Sequence, residues 1–211
     1  MMSALKEYAP KVAHDLLKSD HSVVFADIRP EPQFNEAHAV GAINVPYKEE
    51  TFPQTVKKLL PDEKSLILIG DDPQAVDKAT VVLRESGYPV IGFLNWRNWE
   101  DERFPATALS EITAQHVNER FRQDKEMVLI DVRSREEWEK EHIPNARNIP
   151  LPELEKNIRE FNPDQDIVTV CGIGGGRSAA AYSILRRHGF HNARLLKGGV
   201  QAWKNENLPV E

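Results

Sequence analysis

VVFADIRPEPQFNEAHAVGAINVPY, residues 23–47, is written a second time as MVLIDVRSREEWEKEHIPNARNIPL, residues 127–151. The match is ungapped. Asp27 pairs with Asp131, Arg29 with Arg133, Phe34 with Trp138, His38 with His142, Ala42 with Ala146, Asn44 with Asn148 and Pro46 with Pro150, always 104 residues apart. Farther along, Gly87 and Tyr88 answer Gly189 and Phe190 at an offset of 102, and Trp99 and Pro105 answer Trp203 and Pro209 at 104 again. One offset held through so many positions is the mark of an internal duplication, with small loop insertions and deletions accounting for the drift.

Within each copy, short β-branched runs such as VLID and IVTV alternate with helical patterns such as RSAAAYSILRRHG. That alternation predicts βαβ units around a mainly parallel sheet, and hence two tandem three-layer α/β/α domains. The first copy ends near Pro105, the stretch ATALSEI links it to the second, and Thr113 is the predicted N-cap of the next helix. The boundary therefore lies within residues 105–112, drawn here as domains 1–107 and 108–211.

Composition narrows the function classes. With 211 residues, 40% hydrophobic and 28% charged, the chain can build two small cores and is neither disordered nor membrane-embedded. A formal net charge of -6, with no basic run interleaved with aromatics, argues against nucleic acid as a partner. No apolar stretch approaches the roughly 20 residues that cross a bilayer, so no membrane partner is expected. The opening segment MMSALKEYAPKVAHDLL has no basic region followed by an apolar core. A cytoplasmic, reducing location is expected, consistent with a single cysteine that can form no internal disulfide and can supply no structural zinc site alone.

That cysteine, Cys171, ends the strand pattern IVTV and opens the loop CGIGGGRS, ahead of a helix predicted over residues 178–188 with Gly189 as its C-cap. The loop thus sits at the carboxyl edge of a parallel sheet, where ligands bind. Glycines at 172, 174, 175 and 176, with Ile173 between them, let successive N–H groups converge on an anion. The helix N-terminus before Ser178 adds positive dipole, and Arg177 adds a permanent cation with a planar fork of donors. A sulfur at the focus of all three is favoured as thiolate, the nucleophilic form. Two other readings are open: a buried hydrophobe beside a tight glycine turn, and a dinucleotide fingerprint, whose glycine spacing GIGGG lacks.

IDVRSREEWEKEHIPNARNIP, CGIGGGRSA and LLKGGVQAWKNENLP together resemble the rhodanese-like sulfurtransferases in a compact tandem form, from about Ala9 to Pro209. The resemblance implies the rhodanese α/β fold. It also implies a cysteine that accepts sulfane sulfur from thiosulfate or mercaptopyruvate and passes it, as a persulfide, to cyanide or a thiol. Cys171 would be the nucleophile, with Gly172, Ile173, Gly174, Gly175, Gly176, Arg177 and Ser178 as the donor-binding loop; neither metal nor organic cofactor is required. With no second cysteine to resolve the persulfide, the acceptor comes from outside, a small thiol, cyanide or a protein, and ping-pong kinetics are expected.

The other signature positions read as structural support. Asp131 and Arg133 are expected to form a charge pair that ties loops together, His142 to serve the fold, and Trp138 and Trp203 to be core aromatics. Asn145 stands where the family pattern carries glycine, and asparagine is the next best residue for a left-handed turn. In the first copy the corresponding segment is LILIGDDPQAVDKA, which puts Gly70 opposite Cys171 and two aspartates in the loop, so that domain is expected to be catalytically silent. One departure bears on chemistry: Arg177 is the sixth residue after Cys171, where many members of the family place arginine fifth. The longer spacing occurs in related phosphatases and arsenate reductases, which leaves those as alternatives, together with a non-catalytic persulfide-binding module.

Overall fold

The computed structural model describes residues 5–61, 64–123 and 126–211 and divides the chain between Ala108 and Leu109, one residue past the boundary drawn from the sequence. In the first unit α1 (Pro10–Ser19) leads into β1 (Val23–Asp27), α2 (Glu31–Glu36), β2 (His38–Ala39) and β3 (Ile43–Asn44). Next come α3 (Phe52–Leu59), β4 (Ser65–Gly70), α4 (Pro73–Glu85), β5 (Val90–Asn95), α5 (Trp96–Asp101) and β6 (Ala106–Thr107). The second unit runs β7 (Glu111–Ile112), α6 (Ala114–Arg122), β8 (Val128–Asp131), α7 (Arg135–Lys140), β9 (Arg147–Asn148) and α8 (Leu151–Asn157). A 3-10 turn, β10 (Ile167–Val170), α9 (Gly176–Arg187), β11 (Arg194–Leu196) and α10 (Gly199–Asn205) complete it.

Each unit is a parallel sheet flanked by helices, ordered β3-β1-β4-β5 in the first and β7-β11-β10-β8-β9 in the second. The central strands β1 and β10 are buried at every residue, as parallel strands covered on both faces must be, and their β-branched runs meet that demand. A bridge from Glu7 to Phe93 in the first unit takes the part that β7 plays beside β11 in the second. A short antiparallel pair, β2 with β6, adds to the first unit.

The duplication extends to the hydrogen bonds around the shared aspartate, arginine and asparagine. Arg133 donates from Nε and Nη2 to Asp131 at 2.7–3.0 Å and from Nη2 to the Glu141 carbonyl at 2.8 Å. Arg29 does the same to Asp27 and to the Ala37 carbonyl at 2.9 Å. Asn148 and Asn44 each donate to the carbonyls of their own unit's aspartate and arginine. These pairs are buried, so their charges are held by geometry and hydrogen bonding together. Thr113 caps α6, accepting the His116 N–H, and Asn145 takes φ 64° where Gly41 in the first unit takes 85°.

Three sequence expectations are corrected. β10 ends at Val170, one residue before Cys171, and α9 begins at Gly176, two residues before the predicted start. Gly175, at φ 113°, turns the chain into the helix, so Gly176 and Arg177 lie in its first turn; glycine's low helix propensity masks this in the sequence. Trp203 and its counterpart Trp99 are core residues at 1% exposure, but Trp138 is only half-buried and stacks on His142 with ring centroids 3.8 Å apart. Its counterpart Phe34, a smaller ring, is fully buried against His38.

Candidate active site

Three connections of the second unit meet at the carboxyl edge of its sheet: β8 to α7, β10 to α9 and β11 to α10. Cys171 follows β10 directly and is 4% exposed. Its carbonyl accepts the Val200 N–H at 2.9 Å, and the Gly172 carbonyl accepts the Gln201 N–H at 2.9 Å, which fastens the start of the loop to α10. The loop and the Gly198–Gly199 turn are in van der Waals contact along their backbones. A Cβ on Gly174 would lie 2.4 Å from the Gly198 nitrogen, and one on Gly199 would lie 2.1 Å from the Cys171 carbonyl oxygen. Both glycines also have positive φ, 65° and 58°, so no side chain fits at either. The sequence reading assigned this turn no part in the site, although KGGV was visible.

Ser178, fully buried in the first turn of α9, is the polar neighbour of the sulfur. Its Oγ accepts the Gly175 N–H at 3.2 Å and lies 3.0 Å from the Gly175 carbonyl and 3.3 Å from Cys171 Sγ. The hydroxyl has one proton, which can go to the carbonyl or to the sulfur, and a thiolate is the stronger acceptor. Among the described residues, the N–H groups of Gly172, Ile173, Gly174, Gly176 and Arg177 have no backbone acceptor. They are the donors an anion at the loop would use, reinforced by the N-terminus of the 12-residue α9. Ile173 stands at the tip of the loop, 79% exposed.

Arg177 departs from the expectation of a free cation. Its Nη1 and Nη2 donate to the two carboxylate oxygens of Glu137 at 2.5 and 2.8 Å. Glu137 also closes a capping box at the start of α7: its carboxylate accepts the Ser134 N–H while Ser134 Oγ accepts the Glu137 N–H. The Arg177 guanidinium holds the Glu137 carboxyl far below the usual range, at about 2, and the carboxylate in turn raises Arg177. The ion pair leaves Arg177 cationic but sets a carboxylate against the charge expected to face the loop. Glu137 was missed because its partner is 40 residues away; the available signal was Gln33, its counterpart in the copy that also lacks the arginine.

The remaining named residues bond to partners other than the sulfur. Asp131 and Arg133 lock the β8–α7 connection. His142 stacks on Trp138, with Nδ1 3.1 Å from the Trp138 carbonyl and Nε2 3.7 Å from Glu211. In the first unit the Ile28 N–H bonds the Ile69 carbonyl as the Val132 N–H bonds that of Val170, both at 2.9 Å, so Gly70 occupies the place of Cys171. Asp72 caps α4 by accepting the Gln74 N–H, and Asp71 accepts the Arg97 N–H, so both carboxylates are engaged by backbone. Among the described residues no group of three or more histidine, cysteine or acidic side chains is placed to hold a metal, and no helix is long and apolar enough to cross a membrane.

The family model for the rhodanese-like domain matches the chain twice, at residues 9–101 and 113–206. The chain belongs to the rhodanese-like domain family. Among similar proteins, the putative sulfur carrier protein YrkF of Bacillus subtilis is 33% identical over 98 residues, 46% of this chain and 52% of that protein. A sulfurtransferase of Allochromatium vinosum is 28% identical over 102 residues, 48% of this chain and 94% of its own length. The chain thus spans about half the length of the first of these relatives. Among solved structures, the thiosulfate sulfurtransferase from Pseudomonas aeruginosa aligns over 98% of this chain and 43% of its own, with a TM-score of 0.46 at 18% identity.

Proposed function

We propose that this protein is a sulfurtransferase in which Cys171 takes sulfane sulfur from a donor of the thiosulfate, mercaptopyruvate or persulfide type and gives it to cyanide or a thiol, free or on another protein. The observation that carries the reading is the setting of Cys171: a nearly buried sulfur 3.3 Å from a buried hydroxyl, at a helix N-terminus, under a loop of unengaged N–H groups. With thiosulfate, the Cys171 thiolate attacks the outer sulfur, the donor S–S bond breaks, and its electron pair leaves with sulfite, leaving a Cys171 persulfide anion. Loop N–H groups stabilise the charge that moves between these atoms. The acceptor then attacks the terminal sulfur, forming thiocyanate or a new persulfide and returning the thiolate. Each half-reaction balances without a cofactor, and the first unit, lacking a nucleophile at Gly70, takes no chemical part.

The test is the mass of the intact protein after incubation with a donor. A gain of one sulfur, about 32 Da, that cyanide removes and that Cys171→Ser abolishes is expected for a covalent intermediate of this kind. No gain with any donor class, or a gain that survives in Cys171→Ser, overturns the proposal. Hydrolysis of an aryl phosphate that depends on Cys171, without sulfur transfer, would replace it with the phosphatase reading that the Cys171 to Arg177 spacing suggests.

A further inference from the structure

We infer that Glu137, by occupying both terminal nitrogens of Arg177, selects organic sulfur donors carrying a single negative charge over inorganic dianions such as thiosulfate. The inference rests on the sulfur-transfer reading and names the donor class within it.

Arg177 is the cation nearest the loop in sequence, and its two Nη groups are spent on Glu137 at 2.5 and 2.8 Å. What remains to face an anion is the set of loop N–H groups and the N-terminus of α9, equivalent to about half a positive charge. Cys171 Sγ sits in the same field, 3.3 Å from Ser178 Oγ at the helix end. A monoanionic donor adds one charge to the loop and a dianion adds two, and with Arg177 paired to Glu137 no unpaired guanidinium offsets the second. The side chain at the tip of the loop is apolar: Ile173, 79% exposed between Gly172 and Gly174, is placed to cover an organic substituent, whereas a small oxyanion would use only its N–H. Capping does not account for Glu137, because glutamine closes a capping box equally well. In the first copy that residue is Gln33, where the loop has no arginine to neutralise.

Two donors with a sulfane S–S bond differ in charge: thiosulfate, a dianion that leaves sulfite, and an aryl thiosulfonate, a monoanion that leaves the less basic sulfinate. The charge effect is therefore read from how the ratio of the two donors changes between wild type and variants. With cyanide as acceptor, wild-type kcat/KM is expected to favour the thiosulfonate by about tenfold or more, the difference lying in KM. Glu137→Gln keeps the cap and frees Arg177; KM for thiosulfate is expected to fall about tenfold while that for the thiosulfonate changes less than about threefold. Arg177→Gln reads the pair from the other side, leaving Glu137 uncompensated, and is expected to weaken thiosulfate more than thiosulfonate. A donor ratio that stays constant in folded Glu137→Gln and Arg177→Gln overturns the inference while leaving sulfur transfer intact. Absence of sulfur transfer from both donors in the wild type is the separate failure of the reading beneath it.

Discussion

In the second unit the chain leaves its central strand at Val170 and takes five residues, Cys171 to Gly175, before α9 begins. In the first it leaves at Gly70 and takes two, Asp71 and Asp72, before α4. Behind these edges the two units keep the same buried aspartate, arginine and asparagine in the same hydrogen bonds. At the edges they differ in every chemical respect. The cysteine, the glycine loop, the arginine and its glutamate occur together in one copy, and the other has glycine, two carboxylates and Gln33 around a cavity of about 410 Å³. The difference teaches that the Asp131–Arg133 pair and His142 belong to a frame the fold needs with or without a thiolate. On the sulfur-transfer reading, chemistry is confined to the loop and to what braces it.

Breaking the frame should therefore cost the two copies alike. Arg133→Ala and Arg29→Ala each strip a buried aspartate of its partner, and each is expected to lower unfolding stability by about 3–5 kcal/mol. Urea denaturation followed by circular dichroism measures both. A large loss for Arg133 with none for Arg29 would mean that the second pair serves the site and not the fold.

The brace should separate the copies. At Gly199 a methyl group would sit 2.1 Å from the Cys171 carbonyl oxygen on a backbone at φ 58°, so Gly199→Ala must push the loop away from α10. A displacement of about 1 Å at a nucleophile costs roughly a hundredfold in kcat/KM. Its counterpart Asn95 caps α5 by accepting the Arg97 N–H, and Asn95→Ala is expected to cost about 1 kcal/mol of stability with sulfur transfer unchanged. Equal activities in the two variants would remove the Gly198–Gly199 turn from the account of the site.

Much of this was legible in letters because the chain carries its own control. The repeat announced two α/β units, Asp131 with Arg133 read as a pair two residues apart, and Asn145 read as a left-handed turn from its chemistry. Contacts that join distant segments were not legible. Arg177 meets Glu137 across 40 residues, and nothing local says that a loop arginine faces a carboxylate instead of a substrate. The start of α9 was misplaced because glycine, a poor helix former, opens it, and β2 and β6 at two residues each are too short to show a period.

Acid should sharpen the contrast at Glu137. Its folded pKa of about 2 lies below its ordinary value of 4.5, so the pair's contribution to stability is fully present above pH 4.5 and fades as pH falls toward 2. Wild type is expected to exceed Glu137→Gln in urea midpoint at pH 7, with the gap shrinking at pH 3. A gap independent of pH would mean that the carboxylate charge contributes nothing to holding the loop.

The smallest effect concerns a position where the copies chose different solutions to one conformational demand. Asn145 at φ 64° and Gly41 at 85° turn the chain at the same place, between the α7 or α2 connection and the short strand that carries the asparagine of the frame. An L residue in this region costs about 1–2 kcal/mol unless its side chain is short and polar, whereas glycine is free there but more disordered when unfolded. Asn145→Gly is therefore expected to change stability by less than about 0.5 kcal/mol, and Asn145→Ala and Gly41→Ala to cost about 1 kcal/mol each. If Asn145→Gly is instead as costly as Asn145→Ala, the asparagine side chain is serving the loop network and the two turns are not equivalent.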